Sequence, residues 1–249
     1  MSLLQVENVS RHFGSLVAVS EVSMQIAPGE LVSVIGPNGA GKTTFFNLIS
    51  GFFPPTTGRI VFDGTDITAT TPHSRAAAGI ARTFQITEIF PELTVHENLQ
   101  ISVEVASGLR LKTRQPKDVA QQTTRRVEEL LEMGGLTAKA QRRVGELSHG
   151  DQRATEILMS LALRPRLLLL DEPTAGMGDQ ETYDVTQLIR KLHKDDKLAI
   201  ALIEHDMRVV FHLAERIIVL AEGSVLAQGT PQQIAADEKV QNAYLGKAA

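Results

Sequence analysis

Residues 31–50, LVSVIGPNGAGKTTFFNLIS, constrain the fold of this chain more than any other stretch, because an apolar run breaks into glycines and then becomes an amphipathic segment closed by Gly51. The order reads as strand, loop and helix, with Leu31, Val32, Val34 and Ile35 on the strand. Gly36, Gly41, Lys42 and Thr43 fit the pattern G-x-x-x-x-G-K-[ST]. Its glycines let successive backbone N–H groups turn inward around a polyphosphate, its lysine reaches the β- and γ-phosphates, and its hydroxyl goes to Mg²⁺. A helix N-terminus behind the loop favours an anion on electrostatic grounds as well. The motif alone leaves open which of many nucleotide-driven machines carries it.

Composition removes several of these. The chain has 249 residues, enough for one large α/β domain or a domain with a subdomain. A net charge of -4, with no basic block interleaved with aromatics, argues against a nucleic-acid surface. Without a cysteine there are no disulfides and no thiolate metal sites. Residues 1–10 lack a basic start followed by a long apolar run, and apolar runs such as 198–203 are far too short for a bilayer. The expectation is a soluble chain working in the cytoplasm.

Along the chain, residues 3–9 and 18–26 alternate as strands, with 11–15 as a turn between them and Pro28-Gly29-Glu30 as a second turn. Phe13 sits in that first turn, either as a half-buried turn aromatic or as a ring on which a nucleobase stacks. Asp63-Gly64 closes a short strand over 59–63. Residues 72–78 read as a helix entered through Thr71, and 79–84 as a strand ending at Gln85. Residues 86–93 form an apolar loop. Thr94 and Glu97 make a capping box for a helix over 95–105. A basic linker, 107–117, separates this helix from another over 118–133. Ser148, with Asp151 three residues on, caps a helix running to about Arg164.

Residues 167–170 are four leucines that end in Asp171-Glu172-Pro173. Two adjacent carboxylates at the end of so apolar a strand are costly unless a cation or proton chemistry uses them. Helix, strand, helix and strand then follow in turn, and Thr230-Pro231-Gln232-Gln233 opens a last pair of short helices. Strands separated by helices, a phosphate loop on an early strand and a late acidic strand end describe a parallel-sheet P-loop NTPase.

GPNGAGKTT, Gln85, LSHGDQ, LLLLDEP and His205 stand in the order seen in the ATP-binding cassette (ABC) family, which the whole chain resembles. Residues 79–99, GIARTFQITEIFPELTVHENL, and 242–246, NAYLG, are similar to the ATP-binding subunits of branched-chain, hydrophobic amino acid importers. The fold this implies is α/β: a P-loop core with an N-terminal antiparallel β subdomain, from 1–85 and 165–249, and a helical subdomain over about 86–164. The resemblance implies an ATPase using ATP and Mg²⁺, in which Lys42 and the amides of Asn38, Gly39, Ala40, Gly41, Lys42, Thr43 and Thr44 hold phosphates and Phe13 faces the base. Thr43, Gln85 and Asp171 would serve the metal, Glu172 would polarise the attacking water, Gln85 would touch that water and His205 would touch the γ-phosphate. Taken singly, Gln85 also reads as a polar strand-end residue and His205 as a satisfied core histidine.

The same resemblance implies that Ser148 and Gly150 bind the γ-phosphate of a nucleotide held by a second ATP-binding subunit, identical or different. The consensus LSGGQ is here LSHGD, so His149 and Asp151 depart from it, and Ala175-Gly176-Met177-Gly178 replaces the usual residues before Asp179. Transmembrane permease subunits would dock beside Gln85 on Ile86, Ile89, Phe90 and Leu93, at the cytoplasmic face of the inner membrane. A periplasmic solute-binding protein would join indirectly, and no nucleic acid is involved. Lipopolysaccharide-extracting exporters end similarly and stand as the alternative, followed by a soluble non-transport ABC ATPase.

Overall fold

The computed structural model describes residues 2–83, 89–107 and 117–245. Two sheets share the chain. The first is antiparallel and four-stranded, in the order β2-β1-β4-β5, from β1 (Leu4–Phe13), β2 (Leu16–Ile26), β4 (Thr57–Phe62) and β5 (Thr65–Asp66). The second has six strands, β10-β9-β3-β8-β7-β6, from β3 (Leu31–Ile35), β6 (Ile80–Arg82), β7 (Leu167–Asp171), β8 (Ala199–Ile203), β9 (Arg216–Ala221) and β10 (Ser224–Gly229). Strands β9, β3, β8, β7 and β6 are parallel, and β10 returns antiparallel to β9.

Strands β3, β7 and β8 are buried at every residue, which is why they read as mostly aliphatic runs rather than alternating ones. Their carboxyl ends lie side by side: Val34 pairs with Ile203, and Asp171 pairs with Ile203 from the other side. That edge is where an open α/β sheet places its ligands.

Around the sheets pack α1 (Lys42–Ser50), α2 (Pro72–Ala78), α3 (Val95–Ala106), α4 (Lys117–Met133), α5 (His149–Ser160), α6 (Asp179–Lys194), α7 (Met207–Leu213), α8 (Pro231–Ala235) and α9 (Glu238–Leu245). The capping boxes expected at Thr94 and Thr230 are formed. Helix α5 stops at Ser160, and a 3₁₀ turn over Leu161–Leu163 completes the segment read as one helix.

Two expectations are corrected. The turn placed at 11–15 is strand as far as Phe13, with only Gly14 and Ser15 between β1 and β2, so Phe13 ends a strand. Asn8 and Glu21 adopt left-handed φ of 46° and 49° and shift the register, which breaks the alternation that would have shown the longer strands. The strand expected over 79–84 spans Ile80–Arg82, because Gly79 takes a φ of 107° as the C-cap of α2. Gln85 and Ile86 lie outside the described residues.

Arg75 is buried on α2 and closes the end of α1. Its guanidinium donates to the carbonyls of Leu48, Ile49, Ile67 and Thr68. Burial pushes its pKa down to about 10, still well above neutrality, so a cation meets the negative end of the α1 dipole.

Candidate functional site

The loop between β3 and α1 is held open by backbone conformation. Gly41 is the N-cap of α1 at φ 93°, and no side chain caps the helix. A Cβ at Gly41 would stand 2.3 Å from the carbonyl oxygen of Ala18, and one at Gly36 would stand 2.1 Å from that of Leu220. Both glycines are therefore required by close backbone approach, not only by φ. Between Asn38 and Thr44, the amide of Ala40 donates to Pro37 O at 3.2 Å; the other amides make no backbone hydrogen bond among the described residues. The buried Lys42 ammonium donates to Gly36 O at 2.7 Å and Pro37 O at 3.1 Å. Burial lowers its pKa, against the opposing fields of Glu172 and Asp171. The loop thus combines a cation, free N–H donors and a helix N-terminus at one point.

Opposite it, Asp171 ends β7. Its Oδ2 accepts from Arg82 Nη2 at 3.1 Å, while Oδ1 is buried with no hydrogen-bond partner. Burial raises the pKa of this carboxyl and the Arg82 charge pulls it back. An orphaned carboxylate oxygen on a residue whose charge acts on Lys42, with Thr43 exposed on the same loop, suits a hard divalent cation with oxygen ligands. Arg82 also donates to Asn47 Oδ1 at 2.6 Å and to Ser50 Oγ at 2.9 Å, tying α1 to the acidic strand.

Glu172 follows at a left-handed φ of 48°. Its Oε1 lies 2.8 Å from Nε2 of His205, just beyond β8. Adjacent parallel strands therefore deliver Lys42, Asp171, Glu172 and His205 to one edge of the sheet.

The remaining expected residues stand apart from this cluster. Ser148 caps α5, its hydroxyl accepting from the Asp151 amide at 3.2 Å, and the Gly150 amide donates to Glu181 Oε1 at 3.3 Å. Neither hydrogen-bonds to the phosphate loop among the described residues. Helix α5 does reach the acidic strand, since the buried Arg153 donates to Asp171 O at 2.8 Å. Phe13, 40% exposed, packs edge-to-face on Phe53 at 5.5 Å with the Arg11 guanidinium 4.6 Å over its ring. Gln85 lies outside the described residues.

The family model described as ABC transporter matches residues 19–175, which span the phosphate loop, LSHGDQ and the acidic strand end. This chain is an ATP-binding cassette of the ABC transporter family. A second model, described as branched-chain amino acid ATP-binding cassette transporter, matches residues 224–249. The cassette is 40% identical over 99% of its length, and 98% of the relative's, to the high-affinity branched-chain amino acid transport ATP-binding protein BraF of Pseudomonas aeruginosa. To LivG of Escherichia coli, of the same description, identity is 41% over the same shares. The lipopolysaccharide export system ATP-binding protein LptB of Haemophilus influenzae is more distant, at 35% identity over 99% of the cassette and 98% of that protein.

Among solved structures, the ADP conformation of MJ1267, an ATP-binding cassette of an ABC transporter, superposes with a TM-score of 0.86 at 28% identity, covering 99% of the cassette and all of that chain (100%). A dimeric post-hydrolysis state of the cassette MJ0796, bound to ADP and Pi, gives 0.75 at 27% identity, covering 92% of the cassette and 98% of that chain. The cassette is thus a nucleotide-binding ATPase subunit of a transporter. No helix among the described residues is long and apolar enough to cross a membrane.

Sequence reasoning missed Arg82, Arg153, Arg75 and Glu204, charged residues that the fold buries. Nothing in their neighbours marks them. Only the cost of burying a charge without a partner, applied once the strands were placed, would have raised the question.

Proposed function

We propose that the cassette powers import of branched-chain or related hydrophobic amino acids. It would be the peripheral ATPase at the cytoplasmic face of the inner membrane, docked on permease subunits that receive solute from a periplasmic binding protein. The observation that carries the cargo is the match of residues 224–249 to the branched-chain amino acid model, together with 40–41% identity to BraF and LivG against 35% to LptB.

The open amides of the phosphate loop and Lys42 bind the phosphates, the ammonium exchanging the Gly36 and Pro37 carbonyls for phosphate oxygens. Thr43 and the Oδ1 of Asp171 would hold Mg²⁺, which would supply positive charge against the phosphate oxygens. Glu172 takes the proton side of the attacking water, and His205, hydrogen-bonded to it, holds its carboxylate toward the γ-phosphate. Gln85 would complete the water's surroundings and Phe13, 40% exposed, would face the base. Ser148 and Gly150 at the start of α5 meet the γ-phosphate of a nucleotide on a second cassette, so two subunits make two complete sites. The helical segment over about 86–164 carries that surface and the docking loop.

The test is Glu172→Gln in the complete transport complex. ATP binding persists, subunits pair in an ATP-dependent manner, and turnover falls by roughly a hundredfold or more. Native turnover by this variant would overturn the catalytic assignment. For cargo, leucine uptake by cells lacking the cassette is lost and is restored by the native gene; unaffected uptake would overturn the substrate class.

A further inference from the structure

Glu204 is the last residue before His205, 3% exposed, and nothing above gives it a role. Its carboxylate is filled from two loops. Oε1 accepts from the Thr174 amide at 2.9 Å and from the Thr174 hydroxyl at 2.5 Å. Oε2 accepts from the His205 amide at 2.9 Å and, at the limit of a hydrogen bond, from the Asp206 amide at 3.5 Å. One of these loops carries Glu172 and the other carries His205.

The bond between the two loops has a second part. The Glu172 amide donates to Ile203 O at 2.9 Å, immediately before Glu204. Glu172 is therefore pinned on both sides by one short segment: its own amide by Ile203 and the residue two further on by Glu204. It needs such pinning. A glutamate at φ 48° is held in a region costing roughly 1–2 kcal/mol for a residue with a Cβ, and persists only when its surroundings over-determine it. A buried carboxylate is an expensive way to join two loops unless every lone pair is used, and this one is.

We infer that Glu204 is a positioning residue for ATP hydrolysis: by tying Thr174 to the His205 amide it fixes the 2.8 Å contact between Glu172 and His205. It touches no reacting atom and acts only through that pair. The inference rests on the catalytic assignment proposed above for Glu172 and His205.

Glu204→Gln is nearly isosteric but replaces one accepting oxygen by a donor that faces amide donors. With the full chain in its transport complex, the expected result is a kcat at least about tenfold lower, with the ATP KM and binding constant within about twofold of native. Thr174→Val, which removes only the hydroxyl donor, lowers kcat severalfold in the same way and serves if Glu204→Gln does not fold. In a His205→Ala background, Glu204→Gln costs less than about twofold more, because the pair it positions is already broken. A native kcat in both single variants, a loss matched by an equal loss of ATP binding, or full multiplicative loss in the His205→Ala background would each overturn the inference. Glu172→Gln run alongside separates the two levels: native turnover there removes the catalytic assignment itself, whereas an inactive Glu172→Gln beside a native Glu204→Gln removes only the role of Glu204.

Discussion

Arg82 gives one N–H to Asp171 Oδ2 and leaves Oδ1 of the same buried carboxylate without a partner. One oxygen of the carboxylate is paired within the protein and the other makes no hydrogen bond. Removing Arg82 leaves a buried, unbalanced carboxylate, so Arg82→Met lowers the stability of the nucleotide-free cassette by about 3 kcal/mol. Denaturant unfolding measures this, and, on the proposed metal role of Asp171, Mg²⁺·ADP is expected to recover part of the loss. An unchanged midpoint would show that the pair carries no stability.

Gly41→Ala places a Cβ against Ala18 O and strains an αL backbone. The expected cost is at least about 2 kcal/mol, with nucleotide binding lost, as read by thermal melting and by titration with a fluorescent ATP analogue. Gly39→Ala, at φ 81° but in open space, keeps the strain without the clash and is the milder change.

Arg75→Leu leaves the Leu48, Ile49, Ile67 and Thr68 carbonyls without the guanidinium. The Leu48 carbonyl keeps the Gly51 amide and the Ile67 carbonyl keeps the Thr70 amide and hydroxyl, so Ile49 and Thr68 are the acceptors that suffer; at about 1 kcal/mol for each, a loss of roughly 2 kcal/mol is expected. Arg75→Lys, which reaches fewer of the four, recovers only a part. Urea midpoints rank the three proteins.

The Gly150 amide, followed by the Gly178 amide, holds the Glu181 carboxyl below its ordinary value of 4.5. A depressed folded-state pKa means the contact is fully present above the ordinary value and is lost as pH falls through the folded one. The amide resonances of Gly150 and Gly178 should therefore shift together in acid with one midpoint below 4.5, and Glu181→Gln abolishes that shift. Separate midpoints would show that Glu181 does not join α5 to α6.

Phe90 is 49% exposed while its amide donates to the buried Asn98 side chain, so its ring is presented from a fixed loop. Phe90→Ala is expected to uncouple solute uptake from ATP hydrolysis in the complex while ATP binding stays native. Unchanged uptake would remove this loop as the permease contact.

Local chemistry made much of this readable in the sequence. A phosphate loop must follow a strand and open a helix, and the boxes at Thr94 and Thr230 mark helix starts by satisfying orphan amides nearby. Strand β7 was visible because burial on both faces demands an unbroken aliphatic run. The signals failed where distant parts decide. Nothing near Arg82 announces Asp171, 89 residues away, and nothing near Glu204 announces Thr174, 30 residues away. Phe13 was misplaced because left-handed residues at Asn8 and Glu21 interrupt the alternation by which long strands are recognised. The Glu172–His205 pair was legible only as two motifs; their contact belongs to the register of β7 and β8.

Strand β3 lies between β8 and β9, and the Ser33 hydroxyl donates to Leu202 O, 169 residues later in the chain. A growing polypeptide therefore carries the complete Lys42 loop long before β3 has its neighbours, because β8 and then β9 are made only after Ala199 and Arg216. Closing loops of that length is slow and leaves apolar edges open in the meantime. Nucleotide is therefore expected to stabilise the cassette only after β8 and β9 have closed on β3, so ATP should protect the full chain but not a fragment ending before Ala199.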